Sequence, residues 1–282
     1  METHRTIAGF RAALDEERRA GRSVGLVPTM GFLHDGHVSL MRQAVADGNV
    51  AAATIFVNPL QFGAGEDLAS YPHDLERDTA LTGEAGVTHL FVPSVGEMYP
   101  EPVLTTVNVS GITDTMEGAS RPTHFAGVAT VVAKLCSIAG PCRAYFGEKD
   151  YQQLAVVRRM VFDLSLPVEV VGCATVRDHD GVALSSRNAY LTPPQRAAAP
   201  VLYRALMEGA RVVERGERRA AKVRALMAET IASERLAKLD YAEVVDAGTL
   251  ESLDRVAGEV RLLVAAQFGR ARLLDNVGLL AD

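Results

Sequence analysis

The chain has 282 residues, of which 48% are hydrophobic and 23% charged, and its formal net charge is −6. This length fits one large α/β unit or two domains, because single cores stop growing at roughly 250 to 300 residues. The composition is typical of a folded globular chain and excludes global disorder. No block of Lys and Arg is interleaved with aromatic residues, so we expect no nucleic-acid partner.

The sequence predicts neither secretion nor membrane insertion. Its first residues lack the apolar segment of a secretory signal, and no run reaches the roughly 18 apolar residues of a membrane span. We therefore expect a cytoplasmic protein without a membrane partner.

Apolar patterns divide the chain into alternating helices and strands. Helical spacing predicts a first helix over residues 7–20, and an apolar run predicts a strand over residues 24–27. Further strands are predicted over residues 50–57, 87–92, 143–146 and 168–173, and further helices over residues 75–84, 128–138 and 152–163.

This alternation is typical of βαβ units, and strands that are apolar on both faces suit a buried parallel sheet. After residue 175 the pattern changes to Arg- and Ala-rich helical sequence, followed by three short β-type runs. We predict an α/β fold: a Rossmann-like parallel sheet with helices on both faces over residues 1–175, and a smaller C-terminal α+β lid domain over residues 176–282.

The segment PTMGFLHDGH, residues 28–37, lies between a predicted strand and a predicted helix. A helix N-terminus attracts anions through its unsatisfied backbone N–H groups, which indicates a phosphate site. His34 and His37 are three residues apart and point to similar sides of the helix. One of them is alternatively a capping or core histidine. A zinc site needs further ligands, which neither an HExxH pattern nor paired cysteines supplies, so we expect no protein-held metal.

Other polar side chains follow predicted strands or lie in loops. Lys149 is suited to phosphate oxygens, or alternatively to a surface pair with Asp150. Residues 185–188, with sequence SSRN, offer hydroxyls and a guanidinium for phosphate, or form a simple turn. Gln61 and Gln153 carry amides that suit a hydroxy acid, although surface glutamines are common.

Seven motifs occur in a fixed order: PTMGxLHxGH at 28–37, FVNPxQF at 56–62, YP at 71–72, RPxHFxGV at 121–128, FGEKDxQQ at 146–153, SSRNxYL at 185–191 and LLDN at 273–276. In this combination the chain resembles the pantothenate synthetase (pantoate–β-alanine ligase) family of the HxGH nucleotidylyltransferase superfamily over nearly its whole length. It departs from the family at His73, where arginine is expected, and this leaves the role of that position open.

The resemblance implies an AMP-forming ligase of pantothenate biosynthesis. ATP and (R)-pantoate form pantoyl adenylate and pyrophosphate, and β-alanine then displaces AMP to give pantothenate. The resemblance also implies Mg²⁺ carried on the ATP phosphates, and a homodimer.

The resemblance assigns roles to residues of this chain. It implies that His34, His37 and Lys149 are catalytic, with His37 as the proton donor, that Gln61 and Gln153 bind pantoate, and that Gln61 also lies at the β-alanine site. The implied ATP-binding residues are Met30, Gly31, Phe32, Leu33, His34, Asp35, Gly36, His37, Gly147, Glu148, Lys149, Asp150, Val176, Leu184, Ser185, Ser186 and Arg187.

Two rival functions share the HxGH motif. An adenylyl- or cytidylyltransferase for a phosphorylated acceptor needs extra basic residues, and the neutral Gln61 and Gln153 argue against it. A nucleotide-binding module without turnover does not need His34, His37 and Lys149.

Overall fold

A computed structural model describes residues 1–63, 68 and 71–282. The chain forms two compact units. Unit 1 comprises residues 1–148 and 152–174, and unit 2 comprises residues 149–151 and 175–282.

Residues 149–151 belong to unit 2, whereas the sequence placed them in the first domain. The reason is a set of contacts with unit 2. The Asn276 side-chain amide donates to the Lys149 carbonyl at 2.8 Å, and the Tyr151 hydroxyl donates to the Ala247 carbonyl at 2.8 Å. The Arg261 guanidinium also lies 3.8 Å from the centre of the Tyr151 ring.

Unit 1 is built on a six-stranded sheet in which all neighbouring strands are parallel, in the order β1-β4-β3-β2-β5-β6. This confirms the predicted fold class. The strands are β1 (Glu2–His4), β2 (Val24–Thr29), β3 (Val50–Ile55), β4 (His89–Phe91), β5 (Cys142–Gly147) and β6 (Val168–Cys173). The sequence missed β1, because three residues are too few to show a period.

Helices flank both faces of this sheet. On β4, Leu90 packs in a cluster with residues of the second helix, such as Met41, whereas the adjacent Phe91 stacks on Phe10 of the first helix at 4.7 Å. Successive strand residues point to opposite faces, so these helices lie on opposite sides. The helices of this region are α1 (Ile7–Arg19), α2 (Asp35–Ala46), α3 (Leu75–Glu84), α4 (Val95–Met98), α5 (Glu117–Ser120), α6 (His124–Ala139) and α7 (Tyr151–Asp163).

The strand order reverses direction at β2. After β2 the chain adds β3 and β4 on one side of the sheet and β5 and β6 on the other, and the earlier strand β1 pairs with β4 at the edge. Open α/β sheets bind ligands beyond the carboxyl ends of their strands at such a reversal. The segment that follows β2 is the HxGH-bearing loop, so the fold puts this motif where a ligand is expected.

Unit 2 holds a three-stranded antiparallel sheet in the order β7-β8-β9, formed by β7 (Lys238–Asp246), β8 (Gly258–Phe268) and β9 (Ala271–Ala281). Its helices are α8 (Pro193–Ala198), α9 (Val201–Glu214) and α10 (Ala220–Ala232). Leu206, Met227 and Leu262 represent the shared core of helices and sheet and are fully buried. No helix in the described ranges has both the length and the apolar character needed to cross a membrane.

A buried ion pair joins the segment after β6 to β9. Arg177 donates to both carboxylate oxygens of Asp275, at 2.6 and 2.9 Å, and its guanidinium lies 4.1 Å from the centre of the Tyr203 ring. Burial raises the pKa of Asp275, while the Arg177 contacts oppose this shift. The bidentate geometry fixes the segment that leads into residues 178–183.

The 3₁₀ turn Pro59–Gln61 packs directly on α6 at Gly127. A Cβ atom at this glycine would lie 2.2 Å from the Leu60 carbonyl oxygen, which belongs to the backbone. The close approach therefore requires glycine at this position.

Gly127→Ala is expected to destabilise the protein by about 1–3 kcal/mol through overpacking, and to displace the turn that carries Gln61. Chemical denaturation measures the change. Gly96→Ala is the matched control, because a Cβ atom there would meet nothing nearer than 3.9 Å. Equal stability of the two variants would contradict the tight packing.

Candidate active site

The loop between β2 and α2 has an unusual backbone. Gly31 has φ = +86° and Phe32 has φ = +50°, so both lie in the left-handed region. Glycine adopts this conformation without strain, whereas phenylalanine does so only where its surroundings hold it. The loop therefore depends on contacts from outside itself.

Asp78 of α3 supplies these contacts. Its carboxylate is 1% exposed and accepts from the Phe32 N–H at 2.6 Å and from the Leu33 N–H at 2.8 Å. The neighbouring Arg77 donates to the Leu33 carbonyl at 3.0 Å. Two charge-assisted hydrogen bonds to adjacent amides fix the conformation of the loop. The sequence does not reveal this role of Asp78, because 45 residues separate it from Leu33 and no motif marks it.

The two motif histidines form a reciprocal cap at the N-terminus of α2. His34 is the N-cap residue, and its Nδ1 accepts from the Gly36 N–H at 3.2 Å, while His37 Nδ1 accepts from the His34 N–H at 3.3 Å. The ring centres are 4.0 Å apart. The structure thus brings the two imidazoles together, and it also realises the capping interpretation that the sequence left open.

This arrangement determines where the ring protons lie. A nitrogen that accepts a hydrogen bond carries no proton, so each imidazole has its proton on Nε2. Both rings are neutral donors in this state. They stand at a helix N-terminus, where backbone N–H groups and the helix dipole already favour an anion.

Gln61 lies against this loop. Its side-chain nitrogen contacts the Met30 sulfur at 2.8 Å, and its side-chain oxygen accepts from Asn58 Nδ2 at 3.3 Å. Asn58 is 1% exposed and also donates to the Gly127 carbonyl and accepts from the Tyr99 hydroxyl. Asn58 therefore orients the Gln61 amide, a role that the FVNPxQF motif did not reveal.

The backbone of Gln61 is held from α6. Its carbonyl accepts from His124 Nδ1 at 2.9 Å and from the Arg121 guanidinium at 3.4 Å. The Arg121 guanidinium also forms an ion pair with Glu117, with Nη1 lying 3.6 Å from Oε1. Residues of the RPxHFxGV motif thus position Gln61 through its backbone.

The paired glutamines at the start of α7 have different environments. Gln152 is buried and makes three hydrogen bonds, accepting from the Glu117 N–H and donating to the Ile112 and Thr115 carbonyls. Gln153 is half-buried, and its amide has no hydrogen-bond partner among the residues that the structure describes. Gln152 therefore has a structural role, whereas Gln153 presents an amide that is available to a ligand.

The segment after β5 bears the FGEKDxQQ residues. Gly147 ends the strand, and Glu148, Lys149 and Asp150 form a 3₁₀ turn. Lys149 Nζ lies 3.2 Å from Asp150 Oδ1, and its side chain is 16% exposed. Lys149 therefore does pair with Asp150, as one interpretation of the sequence predicted. The pair is not a surface pair, however, because the Lys149 side chain is largely shielded from water.

The SSRN segment of unit 2 is ordered by local hydrogen bonds. Ser185 Oγ accepts from the Arg187 N–H at 3.3 Å and caps the 3₁₀ helix Ser186–Tyr190. The Leu184 N–H donates to the Val176 carbonyl at 3.0 Å. Lys149 and Ser185 also line one small cavity of unit 2, together with Asn188 and Asp275.

His73 occupies the position where the sequence departed from the expected arginine. Its Nδ1 lies 2.9 Å from the Tyr71 carbonyl, a contact that fixes the local backbone. A histidine in this contact bonds to the Tyr71 carbonyl without supplying the permanent charge of arginine.

The chain is similar over nearly its whole length to proteins of one known family. The family model described as pantoate-beta-alanine ligase matches residues 2–278. A pantothenate synthetase of Moorella thermoacetica is 52% identical over 99% of both chains. One from Sinorhizobium medicae is 53% identical over 98% of this chain and 95% of that protein.

The chain is also similar to solved structures of the same family. A pantothenate synthetase from Thermus thermophilus has a TM-score of 0.93 and 52% identity, covering 98% of this chain and 99% of that one. A pantoate-beta-alanine ligase from Francisella tularensis, complexed with beta-gamma ATP and beta-alanine, has a TM-score of 0.79 and 32% identity over 98% and 97% of the two chains. The resemblance carried by the seven motifs is thereby confirmed: this chain belongs to the pantoate–β-alanine ligase family.

Proposed function

We propose that this protein is the ligase that condenses (R)-pantoate with β-alanine, consuming ATP and releasing AMP and pyrophosphate through a pantoyl-adenylate intermediate. The observation that carries the proposal is the reciprocal His34–His37 cap, which sets two neutral N–H donors at a helix N-terminus. Membership of the family, and the nucleotide and β-alanine named for the Francisella structure, support the choice of substrates.

The chemistry requires an anionic carboxylate to attack the anionic α-phosphorus of ATP. Donors must therefore surround oxygens whose charge grows in the transition state. Nε2 of His37 is proposed to donate to the phosphate, with His34 and Lys149 as further catalytic donors. Because Nδ1 of each histidine is occupied by a backbone amide, the rings offer Nε2–H in a fixed orientation.

Other ATP contacts are proposed from the same motifs. In unit 1 they are Met30, Gly31, Phe32, Leu33, Asp35, Gly36, Gly147 and Glu148, and in unit 2 Asp150, Val176, Leu184, Ser185, Ser186 and Arg187. The partial shielding of Lys149 favours its interaction with phosphate, since water competes less for the ammonium.

Mg²⁺ is proposed to enter on the ATP phosphates, whose charge it screens. Mg²⁺ usually keeps several waters and binds through substrate phosphates rather than in an all-protein cage. The proposed donors fit this, because the imidazoles of His34 and His37 and the ammonium of Lys149 are nitrogen groups, whereas Mg²⁺ prefers oxygen ligands such as the phosphates.

Gln61 and Gln153 are proposed to bind pantoate, and Gln61 also β-alanine. Amides donate and accept hydrogen bonds without adding charge, so they can hold the hydroxyl and carboxylate groups while leaving the nucleophile reactive. The fixed orientation of Gln61 supports this assignment, as does the Gln153 amide, which bonds to no described residue. The homodimer and the cytoplasmic location stay predictions.

Isotope exchange between ATP and pyrophosphate tests the proposal. Exchange should require pantoate, and AMP should be released once β-alanine is added. Exchange that proceeds equally without pantoate would overturn the assignment and favour an enzyme with another acceptor. Binding of ATP without any exchange would indicate a module without turnover.

His37→Ala is expected to slow pantoate-dependent exchange by about 10²-fold or more, because it removes a donor to the transition state. His34→Ala and Lys149→Ala should slow the same step. His179→Ala serves as the control, since that side chain is 89% exposed and pairs with Asp178 in unit 2. A His37→Ala rate equal to the control would remove the imidazole from the mechanism.

Gln153→Ala is expected to raise the KM for pantoate with little change in melting temperature, because its amide bonds to no described residue. Gln152→Ala should instead lower the melting temperature, since it removes three buried hydrogen bonds to backbone groups. Steady-state kinetics and thermal unfolding of both variants separate the two roles. If the two glutamines exchange these phenotypes, the pantoate assignment is wrong.

Asp78→Asn is expected to lower stability by about 1.5–3 kcal/mol, because an amide replaces a charged acceptor of two hydrogen bonds. The loop loses its support, so kcat for adenylate formation should also fall although Asp78 is not proposed to touch the substrate. Denaturation and single-turnover kinetics measure both effects. Asp74→Asn on the same helix is the comparison, since Asp74 caps α3 without contacting the loop. A stable Asp78→Asn enzyme with full activity would contradict this positioning role.

A further inference from the structure

Two buried histidines meet at the edge of the unit 1 sheet formed by β1 and β4. His4 Nε2 lies 3.1 Å from His89 Nδ1, and the side chains are 6% and 7% exposed. β3 lies between this edge and β2, and His89 stands at the amino end of β4. The proposed ATP site does not use these residues.

The fold brings four chemistry-bearing side chains to this place. Glu2 and His4 alternate along β1 and share one face of the sheet, and Glu2 is the register partner of His89. On the same face α1 supplies Glu17, whose Oε1 lies 3.1 Å from His89 Nε2. The contact between β1 and β4 therefore joins residues that are 85 positions apart.

Both ring nitrogens of His89 have a polar neighbour. Its Nε2 lies 3.1 Å from Oε1 of Glu17, whose carboxylate also accepts from Arg22 Nε. With Nε2 at this carboxylate, His89 directs Nδ1 at His4 Nε2. A carboxylate that accepts from one imidazole nitrogen while the other binds a cation is the usual outer support of a metal-binding histidine.

We propose that Glu2, His4 and His89 form a binding site for a divalent transition-metal ion of the Zn²⁺ type. One ligand atom from each of the three residues lies within 4.8 Å of the others. Two nitrogens bound to one tetrahedral zinc at 2.0–2.1 Å are ~3.3 Å apart. His4 Nε2 and His89 Nδ1 are already 3.1 Å apart, close to that separation. Glu17 holds the His89 ring in the orientation that the ion requires.

Metal binding needs only small changes. His4 Nε2 binds the ion in the tautomer that carries the ring proton on Nδ1. Glu2 Oε1 lies 3.8 Å from that Nδ1, and Glu2 Oε2 lies 3.9 Å from His89 Nδ1. The Glu2 side chain is 67% exposed, so it can rotate inward, and water completes the coordination.

An ion at this place would tie the edge strand β1 to β4, so it stabilises the native state by mass action. The site is independent of the proposed ligase activity.

Zn²⁺ titration by calorimetry, with Co²⁺ absorption spectra to report the geometry, tests the proposal on the full chain. Wild-type protein should bind a Zn²⁺ ion that His4→Gln and His89→Gln remove, and should melt at a higher temperature with Zn²⁺ than with a chelator. Glu17→Gln should weaken binding by about 10-fold or more, because it removes the outer carboxylate. His179→Gln, which changes an exposed histidine, should bind as the wild type does.

Glu2→Gln guards against variants that fail to fold, since Glu2 is exposed and its replacement leaves the core unchanged. This variant should keep the wild-type melting temperature in chelator and lose most of its Zn²⁺ affinity. Wild-type Zn²⁺ binding in both Glu2→Gln and Glu17→Gln would overturn the proposal and point to ordinary histidine packing at this edge. Absence of Zn²⁺ binding to the wild type would overturn it as well.

Discussion

The Asp78 carboxylate is the constraint on which the candidate site depends. The turn after β2 reverses the chain through two successive positive φ angles, one of them at a phenylalanine. Removing the Asp78 carboxylate would take its charged acceptor from both the Phe32 and the Leu33 amides, at a cost of about 1.5–3 kcal/mol. Asp78 satisfies both amides at once, and so the N-terminus of α2 begins where His34 can cap it.

The cap has a chemical consequence. A helix N-terminus already carries partial positive charge, so neutral imidazoles there add directed donors without requiring protonation at pH 7. The backbone amides of His34 and Gly36 fix the rings by donating to Nδ1, so that Nε2 of each neutral imidazole carries the proton. The first turn of α2 therefore both orients the two imidazoles and supplies the positive potential that the proposed phosphate binding needs.

The second support of the site comes from α6. The absence of a side chain at Gly127 lets the Pro59–Gln61 turn approach the helix, and Asn58 then orients the Gln61 amide toward the β2 loop. The chain uses several buried polar groups to hold this one amide. Such extensive positioning is typical of a residue whose orientation matters for binding.

Sequence alone predicted most of the fold, because strong apolar periods and turn residues act locally. Residues 75–84 and 168–173 were predicted with the bounds that the structure has, whereas the three-residue β1 was too short to show a pattern. Motifs in a fixed order identified the family and named His34, His37, Gln61 and Gln153. The sequence did not reveal the role of Asp78 or the Glu2–His4–His89 cluster. It also did not reveal that residues 149–151 belong to unit 2. These depend on contacts between residues far apart in the chain, and only strand register and helix packing determine which of them meet.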